Sequence, residues 1–355
     1  MLKLSTSLAN IAVECLLLSA FLFSGMSRGT ADLLASLTGN FYTELILYVT
    51  LLQLAMSALV FPLKFYSGFY IEHQFSFSNQ NVRSWIIDEL KEALLTYLVS
   101  LSVILVFYMI ARNAGAMWWL ICAGVWIILS ALLANIFPVL ILPLFYKGRR
   151  LEDGSLKEKI LLLGKKMNIK LLDVFEIDMS RTTRKSNAAL VGWGNTRRVI
   201  LADNLLKEFS EDEIMAVVAH EMAHYKMGHI WMHLIAGAVS IVIFFAVIGY
   251  LLPSWGRIGA EGVYDISIFP AILLLFIVYE LAAMPFHNTL SRRLEKDADI
   301  AALKALGARE SFISMMKKLS EKNLSDDEPN RMIEIVFYSH PSISKRISLA
   351  RNFTF

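Results

Sequence analysis

Six long apolar stretches alternate with polar segments along this chain, at approximately Leu8 to Met26, Phe41 to Leu63, Ala93 to Ala111, Met117 to Phe145, Trp231 to Leu252 and Ser267 to His287. A helix rising 1.5 Å per residue crosses a hydrocarbon core of ~30 Å in about 20 residues, so the pattern predicts a mainly α, polytopic membrane bundle of about six spans. Pro138 and Pro143 interrupt the fourth stretch and predict that it leaves the membrane early. The first stretch has no small-x-small cleavage site before Arg28 and reads as a retained anchor. Elsewhere the period shortens. Lys185 to Gly194 and Arg197 to Asp203 are two strand-like runs joined through Gly194-Asn195, a hairpin signal, and a polar loop lies near Asn323 to Asn330. The segment order divides the chain into 1–145 with four spans, a polar α+β part at 146–230 carrying a small β-hairpin or sheet, a two-span hairpin at 231–290, and a polar C-terminal part at 291–355.

Within the polar part, Ser210 followed three residues later by Glu213 is a capping-box signature, which predicts a helix starting at Glu211. Ile214, Val217 and Val218 supply its buried stripe. The helix then carries His220-Glu221-Met222-Ala223-His224. Positions i and i+4 share a helix face, so His220 and His224 can direct ring nitrogens at one ion, the spacing of a zinc peptidase helix. Zinc held by few protein ligands acidifies water and polarises a carbonyl, and Glu221 is near enough to take the proton and pass it to the leaving amine. Five residues with two free positions also arise by chance on a solvated helix.

A third ligand is needed. The extended metzincin pattern is excluded because the positions it reserves for glycine and histidine hold Met227 and Ile230. His229 and His233 read as ordinary polar residues near the membrane surface, since nine residues of continuous helix put His229 about 180° from His220. In Ser291-Arg-Arg-Leu-Glu295-Lys-Asp-Ala-Asp299, Glu295 and Asp299 are again four apart. Glu295 could bind the metal while Asp299 holds the far nitrogen of a ligand histidine, or the run is a solvated charged face. Folding the last two spans into a hairpin brings their ends together, with the His220 helix leading into one and Glu295 leaving the other. The Lys185–Asp203 hairpin could offer an edge strand to an extended peptide, or merely pack on the helix.

Composition agrees with a membrane protein: the 355 residues are 56% hydrophobic with a mean hydropathy of +0.53. With six spans, 31 of the 34 Lys and Arg fall on one side, all but Arg28, Arg112 and Arg257, which predicts that the polar domain faces the cytoplasm. The net charge of +3 is then a matter of topology, and no motif supports a nucleic-acid partner. Cys15 and Cys122 lie in apolar stretches and imply no disulfide or metal site.

These motifs resemble the integral-membrane gluzincins that include the type 1 CAAX prenyl proteases. The likeness rests on the His220–His224 motif, Glu295–Asp299, Lys185-Ser-Asn187-Ala188 and Ser339-His340-Pro-Ser-Ile-Ser-Lys-Arg346. It extends to Ile71–Gln80 and Leu142–Lys147 and so covers nearly the whole chain. It implies a gluzincin-type metalloprotease with one zinc ion per chain held by His220, His224 and Glu295, with Glu221 as general base and Asp299 supporting a ligand. It further implies that Asn187 and Ala188 bind the substrate backbone and that His340 and Arg346 steady the oxyanion and the cleft. The substrate would be a peptide or protein, lipidated or hydrophobic.

The chain departs from the eukaryotic members in having six rather than seven spans, Ser76 where their loop has glycine, and Met222-Ala223 inside the zinc motif. No group needed for hydrolysis is lost, but prenyl-cysteine specificity is left open. The compact size fits a bacterial or archaeal inner-membrane protein. Two alternatives remain at this stage: a quality-control protease of heat-shock type, which typically has fewer spans, and a transporter or sensor with structural zinc, lined by Glu14 and Glu280. A structural zinc site has no need of Glu221.

Overall fold

The computed structural model describes residues 2–192, 194–251, 262–323 and 326–354; Trp193, Leu252, Arg257 and part of the 323–330 loop lie outside them. The N-terminal apolar stretches form helices α1 (Leu2–Phe23), α2 (Met26–Thr38), α3 (Phe41–Phe65), α4 (Ile71–Gln74), α5 (Val82–Asn113), α6 (Trp118–Ile136) and α7 (Leu142–Phe145). Pro138 and Pro143 do not end the fourth stretch. Five residues of π-helix, Phe137–Ile141, join α6 to α7, and a second such turn, Tyr66–Tyr70, joins α3 to α4. A π-turn shifts the hydrogen-bond ladder by one residue, which lets a helix continue past a proline that has no N–H to give. The first helix ends earlier than the apolar pattern alone implies, because Gly25 turns the chain into α2.

The polar part follows with β1 (Gly148–Arg150), α8 (Ser155–Lys166), β2 (Asp173–Ile177), β3 (Ala188–Val191), β4 (Arg198–Ala202), α9 (Asp203–Glu208) and α10 (Glu211–Lys226). Next come α11 (His229–Leu251) and α12 (Phe269–Leu306), then α13 (Arg309–Asn323), α14 (Arg331–Phe337) and α15 (Ile343–Asn352). Six helical stretches among the described residues are long and apolar enough to cross a membrane, as the sequence pattern predicts. The fold is mainly α with one small mixed sheet.

The described residues group into two compact units. One comprises Met1–Phe75, Asn81–Leu129 and Gly237–Ala283; the other comprises Ser76–Gln80, Ser130–Ala236 and Met284–Phe355. In the first, buried Leu45, Tyr48, Val49 and Tyr108 pack with Leu18 of α1 and Leu34 of α2. A polar cluster fixes the short α2. The Ser27 hydroxyl contacts the Tyr48 hydroxyl at 2.7 Å, and Arg28 donates to Asp265 at 2.7 Å. Arg28, one of the few basic residues on the sparse side of the predicted topology, is thus held by a partly buried ion pair.

In the second unit the strands run in the order β1-β2-β4-β3, with β2 and β4 parallel and the outer pairings antiparallel. The expected hairpin is β3–β4. Gly192 closes its turn at φ +91°, where an added Cβ would lie 2.5 Å from the Thr196 carbonyl oxygen, so only glycine fits. One face of the sheet packs into a core made of Val174, Val199, Leu201, Ile214, Val218, Met222, Ala298, Leu303, Phe312 and Met316. That core grips α10 along Ile214, Val218 and Met222, about one helical turn apart.

The start of α10 is as the sequence predicts. Ser210 accepts from the Glu213 N–H, and Glu213 accepts from the Ser210 N–H at 2.8 Å. Glu213 also receives Ser314 Oγ and Lys318 Nζ of α13, each at 2.6 Å, so one carboxylate fixes both the start of α10 and its neighbour. Burial alone would raise the Glu213 pKa; bonds from Lys318, Ser314 and the Ser210 N–H outweigh it and bring the value down to about 2. A carboxylate with a depressed folded-state pKa stabilises above its unfolded value, and that stabilisation is lost as pH falls toward the folded one. Glu213→Gln is therefore expected to cost about 1–3 kcal/mol near neutral pH. Thermal unfolding in detergent should show its deficit against the parent protein shrinking below about pH 4.5.

Candidate metal centre

Two turns of α10 and one face of α12 converge on a single point. His220 Nε2 and His224 Nε2 are 3.1 Å apart, and each lies 3.2 Å from an oxygen of Glu295. Among the described residues this is the one group of three or more His, Cys, Asp and Glu donors placed to hold a metal ion. Four residues along α12, Asp299 is fully buried and its Oδ1 is 2.9 Å from His220 Nδ1.

The chemistry of this donor set fits a cation. A neutral His220 keeps its hydrogen on Nδ1, facing Asp299, and turns the Nε2 lone pair toward Glu295. Glu295 Oε2 is itself buried and no hydrogen bond reaches it. Electron-rich atoms facing one another at 3.1–3.2 Å repel unless a positive charge lies among them. Bonds of ~2.0–2.2 Å to a tetrahedral zinc would set its ligand atoms about 3.3–3.5 Å apart, close to what the side chains already adopt. Without a cation a proton must serve. Burial disfavours charged His220, but the Asp299 carboxylate on its Nδ1 and the Glu295 carboxylate 3.2 Å from its Nε2 overcome this and push its pKa up to about 9.

Arg346 of α15 grips Asp299 with a fork, Nε to Oδ2 at 2.8 Å and Nη2 to Oδ1 at 2.6 Å. The guanidinium is buried; that burial disfavours its charge, and Asp299 restores it and raises the pKa further. Glu221, next to His220 on α10, is partly buried, and the loss of water raises its pKa above the usual carboxylate value against the opposing pull of His220 and His224. His340 Nε2 lies 3.3 Å from Glu295 Oε1, with its side chain largely exposed and its Nδ1 3.0 Å from Ser339 Oγ.

β3 lies beside α10 at the free edge of the sheet. Asn187 O accepts from Ala202 N, so in an antiparallel ladder residues 187, 189 and 191 face β4 while the backbone groups of Ala188 and Leu190 face outward. The Ala188 side chain is buried, leaving only its backbone available at the edge, and its N–H is taken by the exposed Asn187 Oδ1 at 2.9 Å.

Three residues near the site, His229, Arg292 and Asn288, are not legible as such in the sequence. His229 is 1% exposed, and its Nδ1 lies 3.0 Å from His224 Nδ1, in place of the opposite-face position expected from a continuous helix. The expectation fails because α10 stops at Lys226. Gly228 takes φ +70° and the chain restarts as α11 at His229. His233 is exposed, in keeping with its reading as an ordinary polar residue. Arg292 donates to the carbonyls of Glu334 and Tyr338 at 2.8 and 2.6 Å, and Asn288 to that of Val336 at 2.6 Å. These bonds tie the end of α14, and with it the segment that delivers His340, to the helix that bears Glu295.

Comparison with known proteins agrees with this arrangement. Residues 150–354 match the model of peptidase family M48, and residues 1–147 match that of the CAAX prenyl protease N-terminal region, described as five membrane helices. In this chain that region contains four membrane-length helices and the 13-residue α2. An uncharacterized metalloprotease of Bacillus subtilis, YhfN, is 29% identical over 345 residues, covering 96% of this chain and 81% of that protein. The CAAX prenyl protease 1 homolog of Arabidopsis thaliana is 31% identical, covering 81% of this chain and 68% of its own. The crystal structure of S. mikatae Ste24p superposes with a TM-score of 0.84 at 26% identity, covering 94% of this chain and 82% of that one. The chain therefore belongs to peptidase family M48 and is a multi-pass membrane zinc metallopeptidase resembling the type 1 CAAX prenyl proteases.

Proposed function

We propose that His220, His224 and Glu295 hold one zinc ion per chain and that Glu221 is the general base for peptide hydrolysis. The observation that carries this reading is the triangle of lone-pair atoms at 3.1–3.2 Å with a carboxylate of raised pKa beside it on the same helix. When bound, zinc supplies a Lewis acid that acidifies water and polarises a carbonyl. Glu221 takes the proton of the attacking water and returns it to the leaving amine. His340 donates to the oxyanion that forms on the substrate through its Nε2, which stands 3.3 Å from Glu295 Oε1, while its Nδ1 stays with Ser339. Asp299, clamped by Arg346, fixes the tautomer and direction of His220, and so Arg346 steadies the cleft. Substrate backbone pairs with the outward groups of Ala188 at the β3 edge, and Asn187 gives up its bond to the Ala188 N–H to receive it.

The substrate we infer is a hydrophobic or lipidated peptide cut near its C-terminus, with the polar domain on the cytoplasmic side as the basic residues indicate. Purified full-length protein should hydrolyse a quenched peptide, stop on treatment with chelator and recover with one equivalent of zinc. A farnesylated peptide should exceed its unmodified twin in kcat/KM by more than about tenfold, since each buried methylene contributes ~0.8 kcal/mol and ~1.4 kcal/mol is a factor of ten. Equal rates would reject a lipid-recognising role while leaving the peptidase chemistry standing.

A further inference from the structure

His229 is a histidine that packing alone does not explain. It is buried at the first position of α11, and its Nε2 has no hydrogen-bond partner among the described residues. A buried unpaired polar nitrogen is destabilising, a cost that an apolar side chain of similar size would avoid. Its other nitrogen does have a neighbour: Nδ1 stands 3.0 Å from His224 Nδ1, with the two rings at 80° and their centroids 4.9 Å apart.

Two imidazole nitrogens bond only when one carries a hydrogen and the other a lone pair. His224 Nε2 faces His220 and Glu295, so a ring that offers its lone pair there must keep its hydrogen on Nδ1. That hydrogen is donated to His229 Nδ1, and His229 then carries its own on Nε2. In the reverse arrangement His224 would carry hydrogen on Nε2 and could bind no cation. His220 has the same kind of support at its outer nitrogen, from Asp299. Each histidine of the pair thus has a dedicated acceptor, one an anion and the other a neutral ring. The glycine-terminated end of α10 is what makes the second possible, since only a break at Gly228 returns the chain beneath His224.

We propose that His229 is a positioning residue for His224, accepting its Nδ1–H and so holding its Nε2 lone pair on the metal. This rests on the zinc reading above. The test compares full-length His229→Phe, which keeps a ring but offers no acceptor, with His229→Asn, whose carboxamide oxygen can replace Nδ1. Zinc affinity measured by competition with a chromophoric chelator is expected to fall about 10–100-fold in H229F and to stay within about threefold of the parent in H229N. The visible spectrum of the cobalt-substituted protein should change in H229F and be restored in H229N. If H229F does not accumulate, H229A takes its place with the same expectation. Parent-like zinc affinity and cobalt spectrum in the variant without an acceptor would overturn this role and leave the peptidase reading intact. Undiminished zinc binding by His224→Ala would instead overturn the metal site on which the role depends.

Discussion

Glu221→Gln is expected to lower kcat by about 10²–10⁴-fold, the range general acid-base catalysis contributes, while the protein still binds one zinc ion and KM changes little. The carboxamide has nearly the shape of the carboxylate and fills the same partly buried position on α10, but it cannot accept a proton. Burial has already raised the basicity of Glu221 toward neutral pH, which makes it a better proton acceptor than an exposed carboxylate. The donor group that can hold the metal, His220, His224 and Glu295, does not include it. Loss of turnover should therefore come without loss of metal, measured by initial rates on a quenched peptide alongside the zinc content of the same preparation. A variant that keeps more than a tenth of parental turnover would reject Glu221 as the base. One that loses zinc as well would show that it belongs to the coordination sphere.

Local signals in the chain were accurate where they depended on near neighbours. Ser210 and Glu213 fixed the start of α10 because a capping box is complete within four residues. Glu295 and Asp299 are readable as one helix face for the same reason, and the apolar periodicity finds the six membrane-length stretches seen among the described residues. What failed was continuity. The assumption of an unbroken helix misplaced His229, although Gly228 carried the signal for a stop, and nothing in the pattern marked the π-turn at Phe137–Ile141. What could not be read was distance in sequence. Nothing local shows that β2 lies parallel to β4, or that Arg292 closes on carbonyls more than 40 residues downstream. Only the family resemblance points to Asn187, His340 and Arg346, since an asparagine before a short strand and a histidine before a proline carry no chemistry of their own in the pattern.

Asp299→Ala separates two functions that the folded protein assigns to one carboxylate. Asp299 accepts from His220 Nδ1 and also neutralises Arg346, with both partners buried. Removing it leaves a buried guanidinium whose nearest remaining counter-charge is Glu295 at 3.6 Å, expected to cost about 3–5 kcal/mol, and leaves His220 free to turn, expected to weaken zinc binding about 10–100-fold. In the double variant Asp299→Ala, Arg346→Met neither charge remains. Much of the stability should return, because a buried ion pair replaced by apolar side chains is often neutral or better. Zinc affinity should not return, because His220 still lacks its acceptor. Thermal unfolding of the metal-free proteins in detergent reads the first effect and chelator competition reads the second. If zinc affinity recovers together with stability, Asp299 acts on the metal only by keeping the fold intact. If stability recovers alone, the Asp299–Arg346 fork aims His220, and the rigidity of that ligand is set by a charge pair that touches neither metal nor substrate.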